Sequence, residues 1–326
     1  MHRPNRILLT GAAGALGREL CSTSSETKHG GKYFPPARLS RQTREKLDVT
    51  NVAALQNTIE SLQPKLVIHL AAVPPVITNR QPDLGWKVNA ESVHTVGKLC
   101  AHYGIPIIFI SSADVFGLNT SHKNAYHELD TTGPTHCFGV TKVCAENAIT
   151  QLGGGAFNEA WKSGFRYWII RTSNLFSASE PHYGLVHQMR HRLAAAHEHP
   201  MTLADDVRTS WTYIPHLAKA IAWLVSNQGR VPCGVYHVVN RGSASHYEVG
   251  WRLGMHVDKA NAFVAGSRSD FCKQQGLSTA QFPRSNALDT DVWDELRDQR
   301  MPTWEAAIEE YAKEIAGNSL TQALAA

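Results

Sequence analysis

Short apolar runs recur along this chain, and stretches with apolar residues at helical spacing separate them, an alternation that few architectures can satisfy. RILLT at 6–10, KLVIHLAA at 65–72, IIFISS at 107–112 and YWIIRT at 167–172 are continuous and apolar, as strands buried on both faces must be. Between them, 15–22, 52–62, 84–103 and 138–152 carry the helical pattern. Strands alternating with helices build βαβ units, so the expected class is α/β with a doubly wound parallel sheet. A fifth apolar strand, VYHVVN at 235–240, arrives late, after a segment from 174 onward with weaker periodicity.

The first βα turn reads TGAAGALG at 10–17. Gly11, Gly14 and Gly17, with Ala15 and Leu16 opening the helix, allow a tight turn, a close backbone approach to a pyrophosphate and a helix N-terminus aimed at it. This is the dinucleotide signature of a Rossmann fold. It predicts a nucleotide-binding half of 1–173 plus about 215–244, and a smaller C-terminal substrate-binding lobe of about 174–214 plus 245–326. The second strand is expected in ARLSR at 37–41, after an irregular stretch at 23–36. It ends in Ser40 and Arg41 with no acid to accept a free ribose 2′-hydroxyl, and a guanidinium suits a 2′-phosphate. NADP(H) is therefore preferred, with NAD(H) possible; the bland reading makes Arg38 and Arg41 solvated loop charges.

Composition excludes several alternatives. With 43% hydrophobic and 18% charged residues over 326 positions, the chain can bury a sizeable core. A net charge of +4 with both signs interspersed leaves no basic stripe, so neither nucleic acid nor a membrane surface is expected as a partner. No signal-peptide core opens the chain, and no apolar run approaches the roughly 18 residues of a membrane span. Six cysteines without a CxxC pair suit a reducing, cytoplasmic setting.

The motifs together resemble the extended short-chain dehydrogenase/reductases. TGAAGALG, LDVT at 47–50, HLAA at 69–72, VNAESV at 88–93, ISSADVFG at 110–117, FGVTK at 138–142 and RTSNLF at 171–176 carry the likeness. LDVTN, RTSWTYIPHLAKAI at 208–221 and RSNALDT at 284–290 look closer to the 4-keto-sugar reductase branch. The resemblance implies that Asp48 and Val49 meet adenine, that Leu70, Ala71 and Ala72 line the path to the ribose, and that Asn89 sits behind the active site. It implies that Ser112 binds the substrate carbonyl and that Lys142 binds the nicotinamide ribose. It also implies a small-molecule substrate, most readily a nucleotide-activated keto sugar, and a homodimer through the helices at 84–103 and 138–152. Asn174 and Arg208 are the substrate candidates, Arg284 a further one, with Arg208 equally open as a surface arginine.

One position breaks the pattern. Four residues before Lys142 the family carries a tyrosine; this chain carries Phe138. Reducing a ketone leaves an alkoxide that needs a proton, and a tyrosine of pKa ~10, lowered by a nearby ammonium, normally supplies it. Losing a positioned acid costs a factor of about 10²–10⁴. Three explanations compete: a Tyr→Phe exchange made to trap a complex, an enzyme using another acid (His136, Cys137, Tyr126 or a water on Ser112), or a catalytically silent NADP(H)-binding regulatory subunit. Other conspicuous residues have bland readings. His187 and His191, and His197 and His199 around Glu198, are expected to be solvated rather than metal-binding, and Trp211, Tyr213 and Trp223 to be core.

Overall fold

The computed structural model describes residues 6–23, 31–119, 124–154, 164–179, 184–194 and 199–325, with side chains up to 316. His197, Glu198 and part of the 23–36 stretch lie outside these residues. Strands β1 (Ile7–Thr10), β2 (Leu39–Gln42), β3 (Leu66–His69), β4 (Ile107–Ser112), β5 (Tyr167–Thr172) and β9 (Gly234–His237) form a six-stranded sheet in the order β2-β1-β3-β4-β5-β9. The β1–β2, β1–β3 and β3–β4 pairs are parallel. All four residues of β1 and of β3 are buried, as their unbroken apolar runs require. The fold is the doubly wound Rossmann-type α/β class.

Helices α1 (Ala15–Leu20), α2 (Val52–Leu62), α5 (Ser92–His102) and α6 (Cys137–Leu152) follow the apolar periodicity closely. The expected helix at 84–103 is helical without a break to His102, and a π-helical turn lies inside it. After α3 (Pro75–Arg80) come α4 (Pro82–Trp86), a π-helical turn at Lys87–Glu91 and then α5. The second strand starts later than ARLSR suggests, because Pro36–Arg38 closes into a 3₁₀ turn and pairing with β1 begins at Leu39.

The chain divides into two compact units, one of Met1–Val115, His136–Arg171 and Ala218–Tyr236, the other of Phe116–Thr135, Thr172–Leu217 and His237–Ala326. The first unit's core joins Leu8, Val67, Ile107, Phe109 and Ile169 of the sheet to Val93, Val96, Ala145 and Ile149 of α5 and α6. In the second, Phe176, Trp211, Tyr213, Leu253, Phe271 and Tyr311 lie in one apolar cluster. It contains the pairs β7 (Met201–Ala204) with β10 (Phe263–Gly266), and β6 (Leu175–Phe176) with β8 (Thr212–Tyr213).

A charged contact fixes α6 to the sheet inside the first unit. Arg171 of β5 donates from Nε to Glu146 Oε1 at 3.0 Å and from Nη2 to Oε2 at 2.7 Å, and Ser111 of β4 donates to the same Oε1. Arg171 is 4% and Glu146 5% exposed, so neither charge can fall back on water. Removing one partner strands the other in a low-dielectric core, which costs about 3–5 kcal/mol. Arg171→Met should therefore lower the urea-unfolding free energy by roughly that amount, and Arg171→Met with Glu146→Leu should lose less than the sum of the single changes. Strictly additive losses would mean that the pair is not coupled.

Candidate active site

The sheet changes winding direction at β1, with β2 on one side and β3 on the other. Ligands of open α/β sheets sit at such a switch point, off the carboxyl ends of the strands. Gly11 lies there with φ +68°, and a Cβ on it would stand 2.6 Å from Ala71 N at the end of β3. A Cβ on Gly17 would stand 2.5 Å from Gly11 O. Gly14 N–H closes the turn onto Gly11 O at 3.0 Å, with Ala15 and Leu16 starting α1. A side chain at position 11 or 17 has no room here, and the cradle the glycines leave suits a dinucleotide pyrophosphate.

The end of β2 lies beside this turn. Gln42, which the sequence pattern did not single out, pairs with Thr10, and its carbonyl accepts from Ala12 N–H at 3.0 Å. Ser40 and Arg41 fall earlier, opposite Leu8 and Leu9; Arg41 is exposed, and Ser40 Oγ accepts from Gln42 Nε2. Asp48 is exposed and its carboxylate accepts from Thr50 N–H and Oγ–H, which holds its pKa below the ordinary value; Val49 is buried.

After β3, Leu70 and Ala71 are half-buried and Ala72 is exposed. Asn89 pins this loop: it accepts from Val73 N–H at 2.7 Å and donates to Val73 O at 2.9 Å. The π-helical turn at Lys87–Glu91 gives the fully buried Asn89 that aim, one residue out of α-helical phase. Below it, buried His69 shares a hydrogen bond of 3.0 Å between its Nδ1 and Thr10 Oγ1, and burial pushes its pKa down to about 3.

The chemistry-bearing residues stand on β4 and α6. Ser112 ends β4, and its hydroxyl donates to Asp114 Oδ2 at 3.0 Å while accepting from Asp114 N–H at 3.2 Å. His136 caps α6, its Nδ1 accepting from Gly139 N–H, which leaves the ring proton on Nε2, 3.6 Å from Asp114 Oδ1. Asn79 of α3, also unforeseen, accepts from Phe138 N–H. The Phe138 ring is 7% exposed and lies 5.5 Å from Lys142 Nζ, with the Phe109 ring at 4.8 Å. Lys142 donates to Ile110 O at 3.0 Å. Burial lowers its pKa to about 8, against the attraction of Glu146 and Asp114. Position 138 thus keeps a ring against the ammonium and lacks an oxygen. Cys137, the first residue of α6, is half-buried.

In the second unit, Asn174 has φ +37° and donates to Thr209 Oγ1 at 2.8 Å and Ser210 O at 3.0 Å. Arg208 pairs with Glu248, which also closes the capping box of the helix His246–Met255, and its backbone N–H donates to Arg284 O. Tyr126 stacks on Phe116 at 4.2 Å. Trp211 and Tyr213 are core, whereas Trp223 is half-buried on the helix Ile214–Asn227. His187 and His191 meet edge to face, and no group of three metal-binding side chains occurs among the described residues. No helix among them is long and apolar enough to cross a membrane.

A glycine turn at the switch point of a parallel sheet, with a serine ending β4 and a lysine on α6, defines an extended short-chain dehydrogenase/reductase. The chain belongs to the family described as the RmlD substrate binding domain, whose model matches residues 5–316. It is 26% identical over 317 residues to the dTDP-4-dehydrorhamnose reductase of Streptomyces griseus, covering 96% of this chain and 95% of that protein. It is 33% identical over 159 residues to methionine adenosyltransferase 2 subunit beta of Pongo abelii, covering 47% and 45%. The structure of dTDP-4-dehydrorhamnose reductase from Bacillus anthracis in complex with NADP superposes with a TM-score of 0.76 at 23% identity, over 95% of this chain and 99% of that one.

The depressed lysine has a stability signature. Lys142 in the folded chain releases its proton near pH 8, whereas the unfolded lysine holds it to about 10.4. The unfolded state binds more protons across that window, so this group's contribution rises with pH from about 8 to 10.4 and is flat below it. Urea unfolding at pH 7.5 and 10 should show wild type gaining stability relative to Lys142→Met. Parallel pH dependences would show that the lysine titrates normally.

Proposed function

We propose that the chain is an NADP(H)-dependent oxidoreductase that reduces the keto group of a nucleotide-activated sugar. The observation that carries this reading is the likeness to a dTDP-4-dehydrorhamnose reductase along 96% of the chain. The glycine turn supports a dinucleotide, and the absence of an acid from β2, with Arg41 exposed on it, supports the 2′-phosphorylated form over NAD(H). When bound, the reduced cofactor supplies the hydrogen and electron pair of the reduction. Gly11, Gly14, Ala15, Leu16 and Gly17 hold its pyrophosphate, Asp48 and Val49 its adenine, Leu70 to Ala72 the path to its ribose, and Lys142 the nicotinamide ribose. Ser112 orients the substrate carbonyl. The first unit is the nucleotide half and the second the substrate half, with Asn174 and Arg208 as its polar contacts. A cytoplasmic homodimer completes the proposal.

A second reading has its own support. Phe138 has no proton to give, and the 33% identity over 159 residues to a methionine adenosyltransferase subunit favours a silent NADP(H)-binding regulatory subunit. Two measurements separate the readings. Fluorescence titration should give NADPH at least ~10-fold tighter binding than NADH, narrowed by Arg41→Ala; equal affinities would remove Arg41 from the 2′-phosphate role. With dTDP-4-dehydrorhamnose added, a reductase oxidises NADPH in multiple turnovers, and a regulatory subunit binds it unchanged.

A further inference from the structure

Without a tyrosine at 138, the first unit must find its proton elsewhere, and the local hydrogen bonds narrow the choice. His136 is a poor source. Its Nδ1 is committed as the acceptor for Gly139 N–H, so the ring is neutral, and giving up the Nε2 proton would leave an imidazolate. Cys137 points about 100° round the helix from position 138. Asp114 has what the others lack. Its Oδ2 accepts the Ser112 hydroxyl proton at 3.0 Å, Ser112 being the residue assigned to the substrate oxygen, and its side chain is 23% exposed. His136 Nε2 stands 3.6 Å from its other oxygen, and the Lys142 ammonium acts on it from the next turn of α6.

We propose that Asp114, acting through the Ser112 hydroxyl, is the proton donor and acceptor of this site and takes over the function of the absent tyrosine oxygen. The inference rests on the reductase reading. In reduction, the carbonyl carbon gains hydrogen with its electron pair from the nicotinamide cofactor, and the C–O π pair moves onto oxygen. Asp114, first protonated from water at its exposed face, donates from Oδ2 to Ser112 Oγ in place of the resting bond in which its carboxylate accepts. The substrate oxygen takes the Ser112 Oγ proton as Ser112 takes that proton of Asp114. One O–H bond forms on the product, one breaks on Asp114, and water reprotonates the carboxylate at its exposed face. In the oxidative direction the carboxylate receives the alcohol proton by the same path. His136 is a positioning residue, its Nε2–H turned to the carboxylate and its Nδ1 tied to the helix.

The relay can be tested first without cofactor. In protein labelled with ¹³C-aspartate, the Asp114 resonance, assigned by its loss in Asp114→Asn, is followed through a pH titration. The Ser112 hydroxyl stabilises the ionised carboxylate, so Ser112→Ala should shift the Asp114 midpoint upward; an unchanged or lower midpoint overturns the relay. In turnover, Asp114→Asn keeps an acceptor for Ser112 and should lower kcat by at least ~10²-fold, with NADPH affinity within about twofold. In the Phe138→Tyr background the tyrosine supplies the proton, and the same exchange should cost less than about tenfold. Equal costs in both backgrounds, or a wild-type loss below about threefold, sink the proposal. Failure to bind NADPH would instead refute the reductase reading, and an unchanged Asp114 midpoint in Ser112→Ala would still overturn the relay.

Discussion

The buried pairing of Arg171 with Glu146 sets the geometry on which the site depends. A guanidinium on β5 and a carboxylate on α6, each about 95% withdrawn from water, must meet in one arrangement, and Ser111 adds a third fixed point from β4. The cost of misalignment is several kcal/mol because neither charge has water to fall back on. Glu146 lies one helical turn beyond Lys142, and Ser111 lies next to Ser112. The contact that anchors the helix therefore also places the lysine and the serine.

That anchoring explains why a phenylalanine at 138 leaves the rest of the site in order. The ring stays against Lys142, whose ammonium is held by Ile110 O and by the faces of Phe109 and Phe138. What is missing is a single oxygen and its proton. Asp114, whose carboxylate accepts the Ser112 hydroxyl within the same unit, is the group proposed to carry that proton once protonated from water.

Much of the first unit was legible in the sequence. Four apolar runs became β1, β3, β4 and β5, with β4 and β5 ending where the pattern ends, because strands buried on both faces leave no room for polar interruptions. The glycine spacing located the switch point, since a Cβ at Gly11 has no space beside Ala71. The helix expected at 84–103 runs without a break over 82–102, but the π-turn inside it was not foreseen. Apolar spacing is nearly the same in α- and π-turns, and the extra residue at Lys87–Glu91 is recognised only from what Asn89 reaches.

Local patterns, then, determined the class of fold and the glycine cradle, because each follows from spacing along one strand or helix, while the Ser112 and Lys142 positions and the lack of a tyrosine oxygen were legible only through the resemblance to a family. Contacts between elements distant in the chain were decided only by the tertiary structure. No local rule pairs Arg171 with Glu146, sets Gln42 beside Thr10, gives Asn79 to the first turn of α6 or ties Arg208 to Glu248. The same holds for Asp114: its proximity to Ser112 is a matter of two residues, but His136 arrives beside it from a separate part of the chain. Hydrogen bonds and ion pairs depend on distances of a few ångströms between such segments, and only packing of the folded chain sets them.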